Sequence, residues 1–259
     1  MNESALRLGF FIGGLVVFTI MGYFFPRRKW QKPRFMIFLH NLILGAVNPL
    51  LIRLIFGSSL VALSHYLQEN SVGLLNNFTL PLWGEVIVVV LFLDFVIYWQ
   101  HRLFHQIPWL WRLHRVHHTD TEFDPSTALR FHFVEAILSY VVKAVALLIV
   151  GGPMLGVIVF EIILNFSAMF NHSNWRVFAG LDQWLRKLIV TPDFHRIHHS
   201  IYPKETNSNY GFFMSVWDYI FRSYVSEPRD GQETMSIGLK EFREDSEQNC
   251  LSLWVQPLK

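Results

Sequence analysis

Cysteine is almost missing from this chain of 259 residues. The single Cys250 excludes a disulfide framework and any cysteine-ligated iron–sulfur cluster within the chain. Charge is scarce as well, at 16% of residues, where an ordinary soluble domain carries about a quarter. The net charge is only +2, and no basic run is interleaved with stacking aromatics in a polar setting, so nothing points to a nucleic-acid partner. There is no G-x-G-x-x-G after a strand to bind a nicotinamide or flavin, and no H-E-x-x-H pairing zinc ligands with a carboxylate base. Internal repetition is confined to two short HR-x-HH motifs.

What the chain does have is apolar surface. Hydrophobic residues make up 52%, with 24 Phe and 9 Trp, and the mean hydropathy is +0.29. This composition reads as an all-α integral membrane protein. Leu8 to Phe25 carries no charge, and its length approaches the roughly 20 residues that cross a bilayer core. The basic run RRKWQKPR (Arg27 to Arg34) follows it. That order is the reverse of a cleaved signal peptide, so the segment reads as a retained span. Phe35 to Ile52 is a second uncharged run, with room to continue to Phe56; His40 within it reads as a packing residue. The positive-inside rule puts Arg27 to Arg34 in the cytoplasm. The N-terminus and the segment from Gly57 to Leu82, with His65, then lie outside.

A third span, about Leu82 to Trp99, returns the chain to the cytoplasmic side. Phe133 to Val150 and Met154 to Phe170 are two apolar arms around Gly151, Gly152 and Pro153, a turn signal that makes them a hairpin, either spanning or re-entrant. Apart from Glu135, which ends the polar, acidic stretch Thr119 to Glu135, Lys143 and Glu161 are the only charges in these arms. The expected architecture is four to five transmembrane or re-entrant helices with a cytoplasmic, histidine-rich helical cap. Three regions follow: 1–81 with the first helices and an outer loop, 82–225 with the catalytic machinery, and a cytoplasmic tail, 226–259, without recognisable chemistry.

The chain is organised around HRLFHQIPWLWRLHRVHH, His101 to His118, which holds five of the 12 histidines. HRIHH, from His195 to His199, repeats the spacing of its end. On a helix, residues three and four apart share a face. His101 and His105 therefore point one way, as do His114, His117 and His118, and likewise His195, His198 and His199. Trp109, Leu110, Trp111, Leu113 and Val116, interleaved with them, argue against a solvated polyhistidine loop. Eight imidazoles exceed the needs of one ion, which points to two transition metals in an all-nitrogen site; ligand type alone does not select the metal. The hairpin returns His172 to the same side as a ninth candidate ligand. His132, at the hairpin base, is open to a ligand or a supporting role. Asp94, seven residues before His101, reads either as an acceptor for a ligand histidine or as a helix-end carboxylate.

HRLFH, HRVHH and HRIHH, with Asp94, Tyr98-Trp99, TALRFH, FNHSN, TPDFHRIHHS, NYGFF and SVWDYIF in this order, resemble the fatty acid hydroxylase/sterol desaturase superfamily, and most of all its bacterial sterol desaturase members. The resemblance covers about Leu82 to Tyr224. It implies a membrane-bound non-haem di-iron oxygenase that hydroxylates or desaturates a lipid (a sterol, fatty acyl chain or related molecule) with O2, in the bacterial cytoplasmic membrane. It also implies that the nine histidines above hold two iron ions, with zinc as a substitute in purified protein. No cytochrome b5-like haem domain is expected within the chain, so electrons are expected from an external donor such as a ferredoxin, a cytochrome b5-like protein or a reductase. Phe133 departs from the proline that relatives often carry there. Two alternatives from other classes are a histidine-rich membrane zinc hydrolase and a non-catalytic metal-binding membrane protein. Oxygen uptake with lipid and a reductant separates both from the oxygenase.

Overall fold

A computed structural model describes residues 3–259. Among these residues the regular structure is helical, with only isolated β-bridges. Five helical segments are long and apolar enough to cross a membrane. They are α1 (Glu3–Phe24), α2 (Phe35–Phe56) with its continuation α3 (Leu60–Glu69), α4 (Leu82–Gln106), α6 (Phe133–Val150) and α7 (Met154–Asn171). Their outward faces carry exposed residues such as Phe35, Leu54 and Trp83, as helices bathed in lipid do.

The core lies where α4 packs between the arms of the α6–α7 hairpin, and Val89, Leu93, Ile97, Leu147, Val157 and Phe160 close it. The hairpin turn behaves as its Gly-Gly-Pro sequence predicts. Gly151 and Gly152 have φ of +69° and +101°, the region that suits glycine. A Cβ on Gly152 would lie 2.6 Å from Val89 Cγ2. The segment read as an outer loop is more structured than expected. Within it α3 covers the hairpin apex, with Leu60, Val61 and Leu67 in the core and Ser64 Oγ donating to the Gly152 carbonyl at 2.8 Å.

Helix α4 positions the histidines. Its 25 residues extend about 37 Å at 1.5 Å per residue, beyond a hydrocarbon core of about 30 Å. His101 and His105 occupy its last two turns, past the apolar stretch. Ile107 is extended because the following proline disfavours helix there. Helix α5 (Pro108–His118) then starts in a new direction across the end of the bundle. Short helices complete this end: α8 (Ala179–Leu185), α9 (Pro192–His198), α10 (Pro203–Thr206), α11 (Val216–Ile220) and α12 (Cys250–Val255).

The C-terminal stretch is part of the packed end rather than a loose tail. Met235, Gln248, Leu253 and Gln256 are buried. Arg130, fully buried, donates to the Val116 carbonyl at the end of α5, to Thr119 and to Gln248 at 2.6 Å. Arg34 pairs with Asp120 and Asp124 beside it. Asp120 consequently stays ionised far below the usual carboxylate range, the Arg34 and Arg130 guanidinium groups outweighing its burial. Such a satisfied ionic network ties the polar end of α2, the end of α5 and the tail into one body.

Candidate metal centre

The nine candidate histidines converge in two groups. His101, His105, His114, His118 and His198 form one; His117, His172, His195 and His199 form the other. Within each group, one ring nitrogen per residue lies within 4.8 Å of all the others. The helical repeat explains the sorting. In HRVHH on α5, the i,i+4 pair His114 and His118 serves the first group while His117, on the adjoining face, turns to the second. In HRIHH on α9 the allocation is reversed: His195 and His199 serve the second group and His198 crosses to the first. Helix α4 adds its own i,i+4 pair, His101 and His105, and the end of α7 adds His172. The groups share a wall, with His118 and His199 stacked at 4.5 Å between ring centroids and 20° between planes.

Several contacts inside the groups have the spacing expected of ligands around one cation. His101 Nε2 lies 3.1 Å from His114 Nε2, and His172 Nε2 lies 3.1 Å from both His117 Nε2 and His195 Nε2. Two nitrogens each about 2.1 Å from one ion would be roughly 3.0–3.4 Å apart. Both ring nitrogens of His105, His118 and His199, and Nε2 of His198, are buried without a hydrogen-bond partner. So many unsatisfied imidazole nitrogens are rare in a folded interior, and they fit a metal-ligating role.

The other ring nitrogen of four histidines is anchored. Nδ1 of His101, His172 and His198 faces the carbonyls of Tyr210, Ala168 and Ser208, each at 2.7 Å. Nδ1 of His114 faces Glu135 Oε1 at 2.6 Å. A donor to these oxygens must carry its proton on Nδ1, which leaves Nε2 free as a ligand. His117 lies flat on Phe131, 4.6 Å away with 8° between planes. Burial, reinforced by neighbouring imidazoles, holds His117, His118, His195 and His199 far below the usual histidine range. Burial likewise lowers His172 to about 4 and His198 to about 3. These imidazoles are therefore neutral at physiological pH, as metal binding requires.

Two other sequence candidates lie elsewhere. Asp94 contacts no histidine; it accepts from Phe213 N, Met214 N and, at 2.8 Å, Trp217 Nε1. Seven residues return to the same helical face but advance about 10 Å along the axis, too far to reach His101. Its effect is indirect, through the loop that presents the Tyr210 carbonyl. Asp218 supports the same loop by accepting from Tyr210 N and Gly211 N, and burial raises its carboxyl to about 6. His132 belongs to neither group. It caps α6, with Nδ1 accepting from Val134 N, and its Nε2 donates to the Trp254 carbonyl of the tail. His40 packs against Cys250 Sγ at 3.3 Å, and His65 is paired with Glu69 at 3.4 Å. Glu135 has no counterpart in the sequence reading. An acidic residue in the first turn of an apolar helix reads as a partner for the helix dipole, and no spacing rule links it to His114.

A cavity of about 230 Å3 runs from the first group into the bundle between α2, α4, α6 and α7. His101, His114 and Glu135 border one end; Ile52, Lys143 and Leu164 lie further along. A separate cleft of about 280 Å3 meets His105 and Trp111 from the polar side, beside Pro203, Asn207 and Lys240.

The fatty acid hydroxylase family model matches residues 86–223, which include every candidate ligand. The chain is 27% identical over 157 residues to an ornithine lipid hydroxylase, OlsE, of Rhizobium tropici, covering 61% of this chain and 46% of the relative. It is 27% identical over 169 residues to an alkylglycerol monooxygenase of Xenopus tropicalis, covering 62% and 35%. A very-long-chain aldehyde decarbonylase, GL1-7, of Oryza sativa subsp. japonica is 27% identical over 187 residues, covering 65% and 29%. The chain thus spans less than half the length of each of these relatives. No solved structure matches it.

Proposed function

This chain belongs to the fatty acid hydroxylase family, and we propose that it is a membrane-bound oxygenase that hydroxylates or desaturates a lipid with O2. The observation that carries this reading is the pair of adjacent, carboxylate-free histidine groups at the end of a cavity between the apolar helices. In this reading the five histidines of the first group would hold one iron ion and the four of the second group another. Bound iron would supply the O2 activation and C–H oxidation that side chains cannot perform.

The chain's own residues do the rest. Neutral imidazoles leave the full positive charge of the ions in place. Glu135 and the carbonyls of Tyr210, Ala168 and Ser208 hold four rings in one tautomer and orientation. The mostly apolar walls of α2, α4 and α7 exclude water and align a lipid chain that arrives from the bilayer. The cleft at His105 and Trp111 gives an external electron donor, such as a ferredoxin, a cytochrome b5-like protein or a reductase, a route on the opposite side. The basic stretch Arg27 to Arg34 supports a cytoplasmic position for that face, and the implied location is the cytoplasmic membrane of a bacterium. Zinc hydrolysis is the weaker reading: it needs a carboxylate base at an open metal position, and Glu135 is engaged by His114.

The test is oxygen uptake by protein purified from iron-supplemented cells, supplied with membrane lipid extract and a reducing system, with metal content measured in parallel. About two irons per chain and lipid-dependent uptake, both reduced in His118→Ala, are expected. Iron-loaded protein that consumes no O2 with any lipid fraction would overturn the oxygenase assignment.

A further inference from the structure

The cavity beside the first histidine group is not the plain hydrocarbon slot that a saturated chain would require. On α6, Glu135, Ser139 and Lys143 recur every fourth residue and all border it, forming a polar stripe about 12 Å long by helical rise. Asn48 of α2 and Gln100 of α4 face the same space. Asn48 is oriented by its own hydrogen bond, Nδ2 donating to the Phe131 carbonyl at 3.0 Å, so Oδ1 is left over. Asn48 Oδ1, Gln100 Oε1 and Glu135 Oε2 are all buried without a partner. Asn48 is only 8% exposed and Glu135 4%. Buried acceptors of this kind are costly when unpaired, and three of them on residues that line one cavity mark a place built for a donor.

Lys143 adds the complementary demand. Its ammonium makes no ion pair among the described residues. The carboxylate that acts on it, Glu161, is engaged by Arg7 of α1. An ionisable side chain midway along a membrane helix marks a functional site. Helical side chains lean toward the N-terminus of their helix, which on α6 is the histidine end.

Building on the oxygenase reading, we propose that this cavity selects a lipid bearing a hydroxyl group close to the carbon presented to the metals. Lys143 donates to the hydroxyl oxygen, and Asn48 Oδ1 or Gln100 Oε1 accepts its hydrogen. A hydrocarbon leaves both demands unmet. A carboxylate satisfies Lys143 but confronts the unpaired acceptor oxygens and the Glu135 carboxylate. A neutral group that donates and accepts at once meets both, and an alcohol does so through a single atom, where an amide needs its N–H and its carbonyl on opposite sides. The cavity's volume also admits only a ring or a chain segment, so the rest of the molecule stays in the bilayer.

The test measures binding apart from turnover. Metal-loaded protein in detergent, without reductant, is titrated with a straight-chain alcohol and with the alkane and carboxylate of equal length, and apparent affinity is read from thermal stabilisation. The alcohol is expected to bind about tenfold or more tightly than the alkane, the value of one well-made hydrogen bond to a charged group. Lys143→Met and Gln100→Leu should each erase most of that preference while metal content stays at the wild-type level. Equal binding of alcohol and alkane by the wild type would overturn the proposal with no variant needed. So would a preference for the carboxylate, or an alcohol preference unchanged in both variants. Oxygen uptake on the same probes separates the two claims. Selective alcohol binding without O2 consumption under reducing conditions would refute the oxygenase reading alone, and O2 consumption indifferent to the hydroxyl would refute this inference alone.

Discussion

Replacing Glu135 should remove one metal and spare the other. Its Oε1 accepts from His114 Nδ1 at 2.6 Å, with both residues almost wholly buried. His114 belongs to the five-histidine group only. Glu135→Leu leaves the imidazole N–H buried and unpaired, which costs about 1–3 kcal/mol, and it frees the ring to rotate or change tautomer. Loss of an outer-layer carboxylate typically lowers metal affinity about 10- to 100-fold, and the complete loss of this buried contact belongs at the upper end. Glu135→Gln keeps an acceptor but loses the charge assistance that roughly doubles such a bond, so about tenfold is expected. The assay is metal content per chain after equilibration with graded chelator. Wild type should release both ions at similar chelator strength. The leucine variant should release one early and retain the other, because the second group has no contact with Glu135. Simultaneous loss of both ions, or wild-type retention of both, would refute the argument that this carboxylate orients one ligand of one site.

The partition of the histidines predicts complementary losses: His118→Ala should weaken the five-nitrogen site and His199→Ala the four-nitrogen site, with His65→Ala as an unaffected control, all read by metal content in folded protein. Asp94→Ala deprives Phe213 N, Met214 N and Trp217 Nε1 of their acceptor. It should lower thermal stability by the cost of those unmet donors, about 1–3 kcal/mol each, and measurement at the melting midpoint decides it; a wild-type midpoint would contradict the assigned contacts. Metal-free protein should weaken on acidification. His172 and His198 titrate near 4 and 3 when folded but near 6.5 when unfolded. The unfolded chain therefore takes up protons first, so stability is full above about pH 6.5 and falls as pH drops toward the folded values. A melting temperature that is flat from neutral pH to about pH 4 would argue against neutral, buried imidazoles.

Much of the architecture is legible in one dimension because its causes are local. A bilayer demands uninterrupted apolar helices of a set length, and the runs after Leu8, Phe35, Leu82, Phe133 and Met154 meet that demand one by one. Gly151, Gly152 and Pro153 announce their turn because the backbone there needs φ values that other residues avoid. The histidines declare themselves through spacing, since residues three and four apart on any helix share a face whatever lies opposite. The hairpin also predicts the return of His172 to the histidine end, because two antiparallel arms must finish where they began.

The exchange of His117 and His198 between the two groups is a tertiary fact. It depends on how α5 and α9 face each other, which no spacing within either motif encodes. Glu135 on His114 is equally invisible in sequence, being a contact between helices at 21 residues' separation. The carbonyls of Tyr210, Ala168 and Ser208 carry no side-chain signature at all. Asp94 shows the limit from the other direction: helical phase aligned it with His101, but rise along the axis put it out of reach and gave it to Phe213, Met214 and Trp217. The C-terminal stretch looked featureless because its contribution is made through buried contacts with Arg130 and His132, groups more than a hundred residues away. Local periodicity thus determined which residues face the same way; packing alone decided which of them meet.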